Sequence, residues 1–148
     1  MCIFRIRGAA KKLGLGVSQV RRLFGEACRT GLGVACLNPR GGVQPGSVKG
    51  QTCTQLQNCH SCSNRIVVAT VENLRDLIIW NKHLENSRAE WELTRPEKWA
   101  KDWLPWLIFT GVAIEHASRG RTAAIFRKAK ELADRELCEE TSNLPRLW

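Results

Sequence analysis

The chain has 148 residues and a formal net charge of +9, with 43% hydrophobic side chains, six tryptophans and seven cysteines. This length fits one domain or two small ones, and the apolar content allows a real core, which argues against wholesale disorder. Charged residues interrupt the apolar runs before any reaches about 18 residues, so neither a signal peptide nor a membrane span is predicted. We therefore expect a soluble, cytoplasmic protein. Its thiols should stay reduced, which favours metal binding over disulfides.

Positive charge is concentrated in the first 64 residues, which hold nine Lys and Arg side chains and a single acid, Glu26, for a net +8. The other 84 residues hold 14 basic and 13 acidic side chains and are nearly neutral. Such asymmetry indicates a polyanionic partner, most simply nucleic acid, with a merely solubilising surface as the alternative.

The first predicted element is a short helical hairpin within residues 8–29. Its residue types fit a helix-turn-helix, which needs a small residue where the helices touch, a glycine in the turn and a buried aliphatic residue on the second helix. Ala10, Gly14 and Val20 stand at those three positions. Many helical hairpins match this pattern, so it favours DNA contact without requiring it.

The DNA contacts predicted on this hairpin are polar and basic side chains. On the second helix we expect contacts with a groove or with phosphates from Gln19, Arg21 and Arg22. The remaining basic residues, expected to contact phosphates, are Arg5, Arg7, Lys11 and Lys12.

The segment from Leu13-Gly14 to Phe24 resembles the end of the catalytic domain of tyrosine recombinases, the phage-type integrases. There a Leu-Gly-His-Ser-like turn precedes the nucleophilic tyrosine. Leu15 stands in place of that histidine and Phe24 in place of that tyrosine, and the chain contains no tyrosine. Residues from Gly33 onward look like the extension that follows this region in some integrase-like proteins of bacterial mobile elements. The resemblance implies a relative of this C-terminal tail that acts in integration or its regulation without phosphotyrosyl chemistry.

The most specific pattern is a run of four cysteines, Cys36, Cys53, Cys59 and Cys62, with 16, 5 and 2 residues between successive members. The final CxxC pair places two thiolates on one tight turn, and the upstream cysteines can complete a four-sulfur shell. We predict a metal knuckle over residues 33–64, with zinc as the default ion and an iron–sulfur cluster as the alternative. Buried free thiols are the non-metal interpretation. His60, between the last two cysteines, could replace one of them as a ligand, but it is expected to be an exposed turn residue.

Residues 65–148 predict a Trp-rich bundle of about three helices after a short β-branched run at Ile66–Ala69. The helices are expected over Val71–Leu93, over Pro96–Ser118 with a kink near Pro105, and over Thr122–Glu139. The residues expected to face inward from the second helix are Trp99, Trp103, Leu107, Ile108 and Ile114. Tryptophans near basic residues can stack on single-stranded nucleic acid, but a core role is favoured for them at this helical spacing.

Together these patterns predict a mainly α protein with three parts. They are a basic helix-turn-helix-like hairpin (1–32), a four-cysteine metal knuckle (33–64) and a Trp-rich helical bundle (65–148). The functional hypothesis is a non-catalytic zinc- and DNA-binding protein, since no paired nucleophile and base is evident. Two alternatives stay open: a metal-stabilised module that docks a recombinase or another protein, and an iron–sulfur protein.

Overall fold

The computed structural model describes residues 3–4, 10–11, 14–23, 29–140 and 147. Most of these residues are helical, so the predicted mainly α class is confirmed. The strands are β1 (Ile3–Phe4), β2 (Ala35–Cys36) and β3 (Arg65–Val68). The longer α-helices among the described residues are α1 (Val17–Leu23), α2 (Val71–Thr94), α3 (Leu104–Ala117) and α4 (Ala123–Cys138). The shorter helical pieces are a 3-10 turn at Leu56–Ser61, a single turn at Pro96–Lys98, a π-turn at Trp99–Trp103 and a 3-10 turn at Gly120–Thr122.

Strand β3 lies at the centre of a small sheet of order β1-β3-β2. It runs parallel to β1 and antiparallel to β2, with Cys36 opposite Arg65. Successive side chains of a strand point to opposite faces. Ile66 and Val68 accordingly pack in one buried cluster, whereas Val67 packs in a second, larger one. The strand is therefore buried on both faces.

Ala10 and helix α1 cover one face of this sheet. Ala10 is helical and buried, Gly14 adopts a left-handed φ of +65°, and Val20 of α1 is 0% exposed. Ala10 and Val20 share their cluster with β2 and β3. Both residues therefore pack against the sheet, while the helix-turn-helix predicted for this segment stays a prediction.

The helical bundle covers the other face, and its centre is built from tryptophans. Trp80, Trp99, Trp103 and Trp106 are all buried, which confirms the core role predicted for them. Trp80 packs edge-on against Trp103 and Trp106, with ring centroids 6.1 and 5.9 Å apart. Edge-to-face pairs of this kind add to the burial of large apolar area. Trp91, half-buried at the rim, packs in the same way against Trp103.

Helix α2 begins where the sequence predicts. The Thr70 side chain accepts a hydrogen bond from the Asn73 backbone N–H at 3.2 Å, which satisfies one of the free donors of the first turn. Asp76, in the second turn of α2, is buried. Arg29 and Arg75 pair with its two carboxylate oxygens at 2.6 and 2.7 Å. The ion pair with Arg29 accounts for the burial of Asp76, because a buried carboxylate requires a compensating charge.

The buried face of α3 differs from the predicted one. A π-turn at Trp99–Trp103 precedes Pro105, which has no N–H for the helical ladder. The buried residues follow one another at alternating intervals of four and three residues and so form one regular helical face: Trp99, Trp103, Trp106, Thr110, Ala113 and Ala117. Ile108 lies off this face. The inward position predicted for Ile108 is therefore wrong, since its side chain is 60% exposed.

In the part of the chain that the structure describes, no helix combines the length and apolar character needed to span a bilayer.

Gly33 provides a direct test of how closely the residues before β2 approach α2. Its φ is +80°, and a Cβ built on it would lie 2.3 to 2.6 Å from Leu77 Cβ, Cα and N. Gly33→Ala should lower the free energy of unfolding by roughly 3 to 4 kcal/mol, because left-handed strain adds to an overpacked contact.

Gly31→Ala is the matched control, because its φ is +77° but a Cβ there would meet nothing within 4 Å. It should cost only about 1 to 2 kcal/mol from the backbone strain. Equal losses for the two variants in urea unfolding would contradict the close approach of Gly33 to α2.

Candidate metal centre and basic hairpin

Backbone hydrogen bonds draw the four cysteines to one end of the small sheet. Cys36 ends β2, and the Cys53 N–H donates to the Pro39 carbonyl at 2.8 Å, which closes the Gly/Pro-rich loop between them. Cys59 lies in the 3-10 turn, and the Cys62 N–H returns to the Cys59 carbonyl at 3.3 Å. The local turns and the pairing of β2 with β3 thus bring together residues that are up to 26 positions apart.

The four thiols are close enough to influence one another electrostatically. Burial, followed in order by the neighbouring Cys62, Cys36 and Cys53, raises the pKa of Cys59 to about 12. All four thiols are half-buried and free of disulfides. Several thiolates at one place repel one another, and the positive charge of a bound cation offsets that repulsion, so that the ligands can be deprotonated.

The donor set fits a soft metal. Four sulfurs are the donors of structural zinc sites and of iron–sulfur clusters. Among the described residues, no three His, Cys, Asp or Glu side chains already stand in a metal-holding arrangement. Ion binding would therefore require the four thiols to come closer together than they are in this structure.

The cysteine-bearing turn is docked onto the bundle by aromatic side chains. The Trp106 indole N–H donates to the Gln57 carbonyl at 2.9 Å. Arg65 donates to the His60 carbonyl and places its guanidinium 4.6 Å from the centre of the Phe109 ring. These contacts tie the turn that carries Cys59 to α3.

The environment of His60 differs from the one predicted. The side chain is half-buried rather than exposed, with its ring 5.7 Å from that of Trp106. Its Nδ1 is buried and has no hydrogen-bond partner among the described residues. Burial and the nearby Arg65 lower its pKa. Packing on Trp106 explains the difference, because a long-range contact of this kind leaves no trace in the local sequence.

The structure describes some, but not all, of the side chains predicted to contact DNA. Lys11, Arg21 and Arg22 are exposed to solvent. The Gln19 side chain accepts a hydrogen bond from the Gly16 N–H at 2.8 Å and so caps the start of α1. Three further predicted contacts, Arg5, Arg7 and Lys12, lie outside the described residues.

Two basic residues of the cysteine loop were not singled out from the sequence as DNA contacts. Arg40 and Lys49 are exposed, and no acidic residue occurs between Ala27 and Val71. This stretch without acidic residues is the sequence signal that could have identified Arg40 and Lys49 as candidate DNA contacts. The loop that carries both side chains follows β2, whose Ala35 packs in the same cluster as Val20 of α1.

A separate hollow of about 460 Å³ runs along the end of α2. It is lined by His83, Trp91 and Arg95 among others, and His83 stacks against Trp80 with ring centroids 5.6 Å apart. Burial lowers the pKa of His83. His83 lies in the bundle and not at the cysteine site, so we expect its protonation to affect the stability of the bundle.

No protein-family model, curated protein or solved structure matches this chain.

The lowered pKa of His83 predicts acid sensitivity of the bundle. An unfolded histidine titrates near about 6.5, so below that pH the unfolded state binds the proton more readily than the folded state. The contribution of the neutral ring is present above about pH 6.5 and is lost as the pH falls through the lowered folded pKa. His83→Gln should therefore reduce the loss of unfolding free energy measured between about pH 7 and pH 5.

The exposed His116 offers a matched control. His116→Gln removes an exposed imidazole and is measured in parallel, so that an effect specific to His83 is separated from the general loss of a histidine, and His60 is unchanged in both variants. An identical pH dependence in His83→Gln and the parent protein would disprove the assignment.

Proposed function

We propose that the chain is a non-catalytic zinc- and DNA-binding protein that acts in the integration or regulation of a mobile element. The observation that carries the proposal is the convergence of four half-buried thiols at the junction between the basic hairpin and the bundle. The mobile-element setting depends on the resemblance of the hairpin sequence to the end of tyrosine recombinases.

Zinc would have a structural role here. Cys36, Cys53, Cys59 and Cys62 would hold the ion, and four protein sulfurs leave no position for a reacting water. The loop between Cys36 and Cys53 is rich in Gly and Pro and lacks a buried core of its own. A cross-link through the ion would give this loop the tether that its composition does not provide.

DNA binding is supported by charge and packing together. Arg21 and Arg22 are exposed on a helix whose Val20 is anchored in the cluster beneath it. Arg40 and Lys49 add charge from the cysteine loop, which contains no acid to offset it. Such a surface would bind phosphates through release of counterions, and the absence of tyrosine excludes a phosphotyrosyl intermediate.

A second candidate function is favoured by one observation. The outer face of α3 exposes Ile108 and Val112 beside the cysteine turn. An apolar surface at that place fits the alternative in which a metal-stabilised module docks a recombinase or another protein. The iron–sulfur alternative uses the same four cysteines and differs from zinc in colour.

Metal content tests the cysteine site. Protein purified anaerobically should carry close to one zinc per chain and be colourless, whereas a brown protein with iron and sulfide would establish the cluster instead. Cys59→Ser and Cys62→Ser should each weaken zinc binding at least tenfold in a chelator competition, because a ligand thiolate is lost.

Cys138→Ser is the matched control for these variants, since Cys138 is an exposed cysteine on α4. It should retain full zinc binding. Equal zinc content in Cys59→Ser, Cys62→Ser and Cys138→Ser would contradict the proposed site.

The salt dependence of duplex binding tests the hairpin surface. Replacement of Arg21 and Arg22 by Gln should reduce the slope of log K against log salt by about 2, because each phosphate contact contributes about 0.9. The control replaces Arg121 and Arg127, which are exposed at the other end of the chain, by Gln and should leave the slope unchanged. Absence of any duplex binding at low salt would refute DNA binding.

A further inference from the structure

The outer face of α3 is apolar although it faces solvent. Leu104, Ile108 and Val112 follow one another at intervals of four residues, with Ile108 60% and Val112 39% exposed. They border a hollow of about 540 Å³ that reaches Phe109 and the ring of His60. Trp106 and Ala113 on the opposite side of the helix are buried in the core. Helices that are apolar all round are normally covered on every side.

Gly111 on this face has no role in the packing of the described residues. It lies in the interior of a helix, is exposed, and a Cβ built on it would meet nothing within 4 Å. Glycine weakens a helix interior relative to alanine, so the position is unfavourable for an isolated chain. It does allow a second backbone to approach closely beside Ile108.

The charges at the two ends of the apolar strip suit a copy of the same helix. Lys101 precedes Ile108 by seven residues and Glu115 follows it by seven. Lys101 makes no ion pair among the described residues. Glu115 pairs with Arg119 at 2.9 Å, yet its side chain is 60% exposed and can accept a second partner. In an antiparallel pair centred near Ile108, Lys101 of each chain would lie close to Glu115 of the other.

We propose that the outer face of α3 pairs with the same face of a second copy of this chain, antiparallel and around a twofold axis near Ile108. Such an isologous contact makes every interaction occur twice. Ile108 would pack beside Gly111 of the second copy, and Leu104 would lie near its Val112. The strip is apolar with oppositely charged ends, which fits a second copy better than a nucleic acid, whose recognition requires a positively charged surface.

Sedimentation equilibrium over a range of concentrations of the full chain, without DNA, tests this proposal. The parent protein should be a reversible dimer, and Ile108→Asp should weaken dimerisation at least tenfold. Leu93→Asp is the matched control, because Leu93 is an exposed apolar residue on α2 and is 84% exposed. Its dimerisation should equal that of the parent, and circular dichroism should show both variants folded because both positions face solvent.

Exchange of the charges of Lys101 and Glu115 tests the antiparallel arrangement more specifically than Ile108→Asp does. Lys101→Glu and Glu115→Lys should each weaken dimerisation, and the double variant should restore it. A parent protein that stays monomeric at every concentration would overturn the proposal. The same result is expected if a partner of another class covers this face. Equal effects of Ile108→Asp and Leu93→Asp, or a double swap that dimerises no better than the single variants, would overturn it as well. None of these outcomes depends on metal or DNA binding, so the proposed function is tested separately.

Discussion

Burial of strand β3 on both faces is the constraint on which the rest of the structure depends. Ile66 and Val68 hold the helical hairpin, while Val67 holds the Trp-rich bundle. The strand has only four residues, so neither partner can shift without exposing apolar area on the other side. The two halves of the chain, one strongly basic and one nearly neutral, are thereby fixed relative to each other.

The cysteine segment lies at this junction between the sheet and the helical bundle. Cys36 lies opposite Arg65 at the start of β3. The Arg65 side chain donates a hydrogen bond to the His60 carbonyl and lies over the Phe109 ring. The contacts extend from the sheet through the cysteine turn to α3. A metal ion at the four thiols would therefore stabilise the position of the hairpin and of the apolar face of α3 at once, which links the two proposed surfaces through one site.

Local rules predicted much of this fold, and long-range contacts account for what they missed. The start of α2 at Val71 and the break at Pro96 follow from short-range stereochemistry, and the structure confirms them. The sequence pattern places Ile108 inward because most residues of α3 are apolar, and apolar spacing alone does not define the buried face of such a helix. At the site, spacing selects Cys36, Cys53, Cys59 and Cys62, and their role as metal ligands stays a prediction. The half-burial of His60 depends on Trp106, 46 residues away, and is invisible in the local pattern.

X-ray absorption at the zinc edge, on protein purified with its metal, identifies the atoms that bind the ion. We expect a single zinc environment of four sulfurs at about 2.3 Å. A shell that contains nitrogen or oxygen ligands, as at an adventitious surface site, or a protein that holds no zinc, would contradict this expectation.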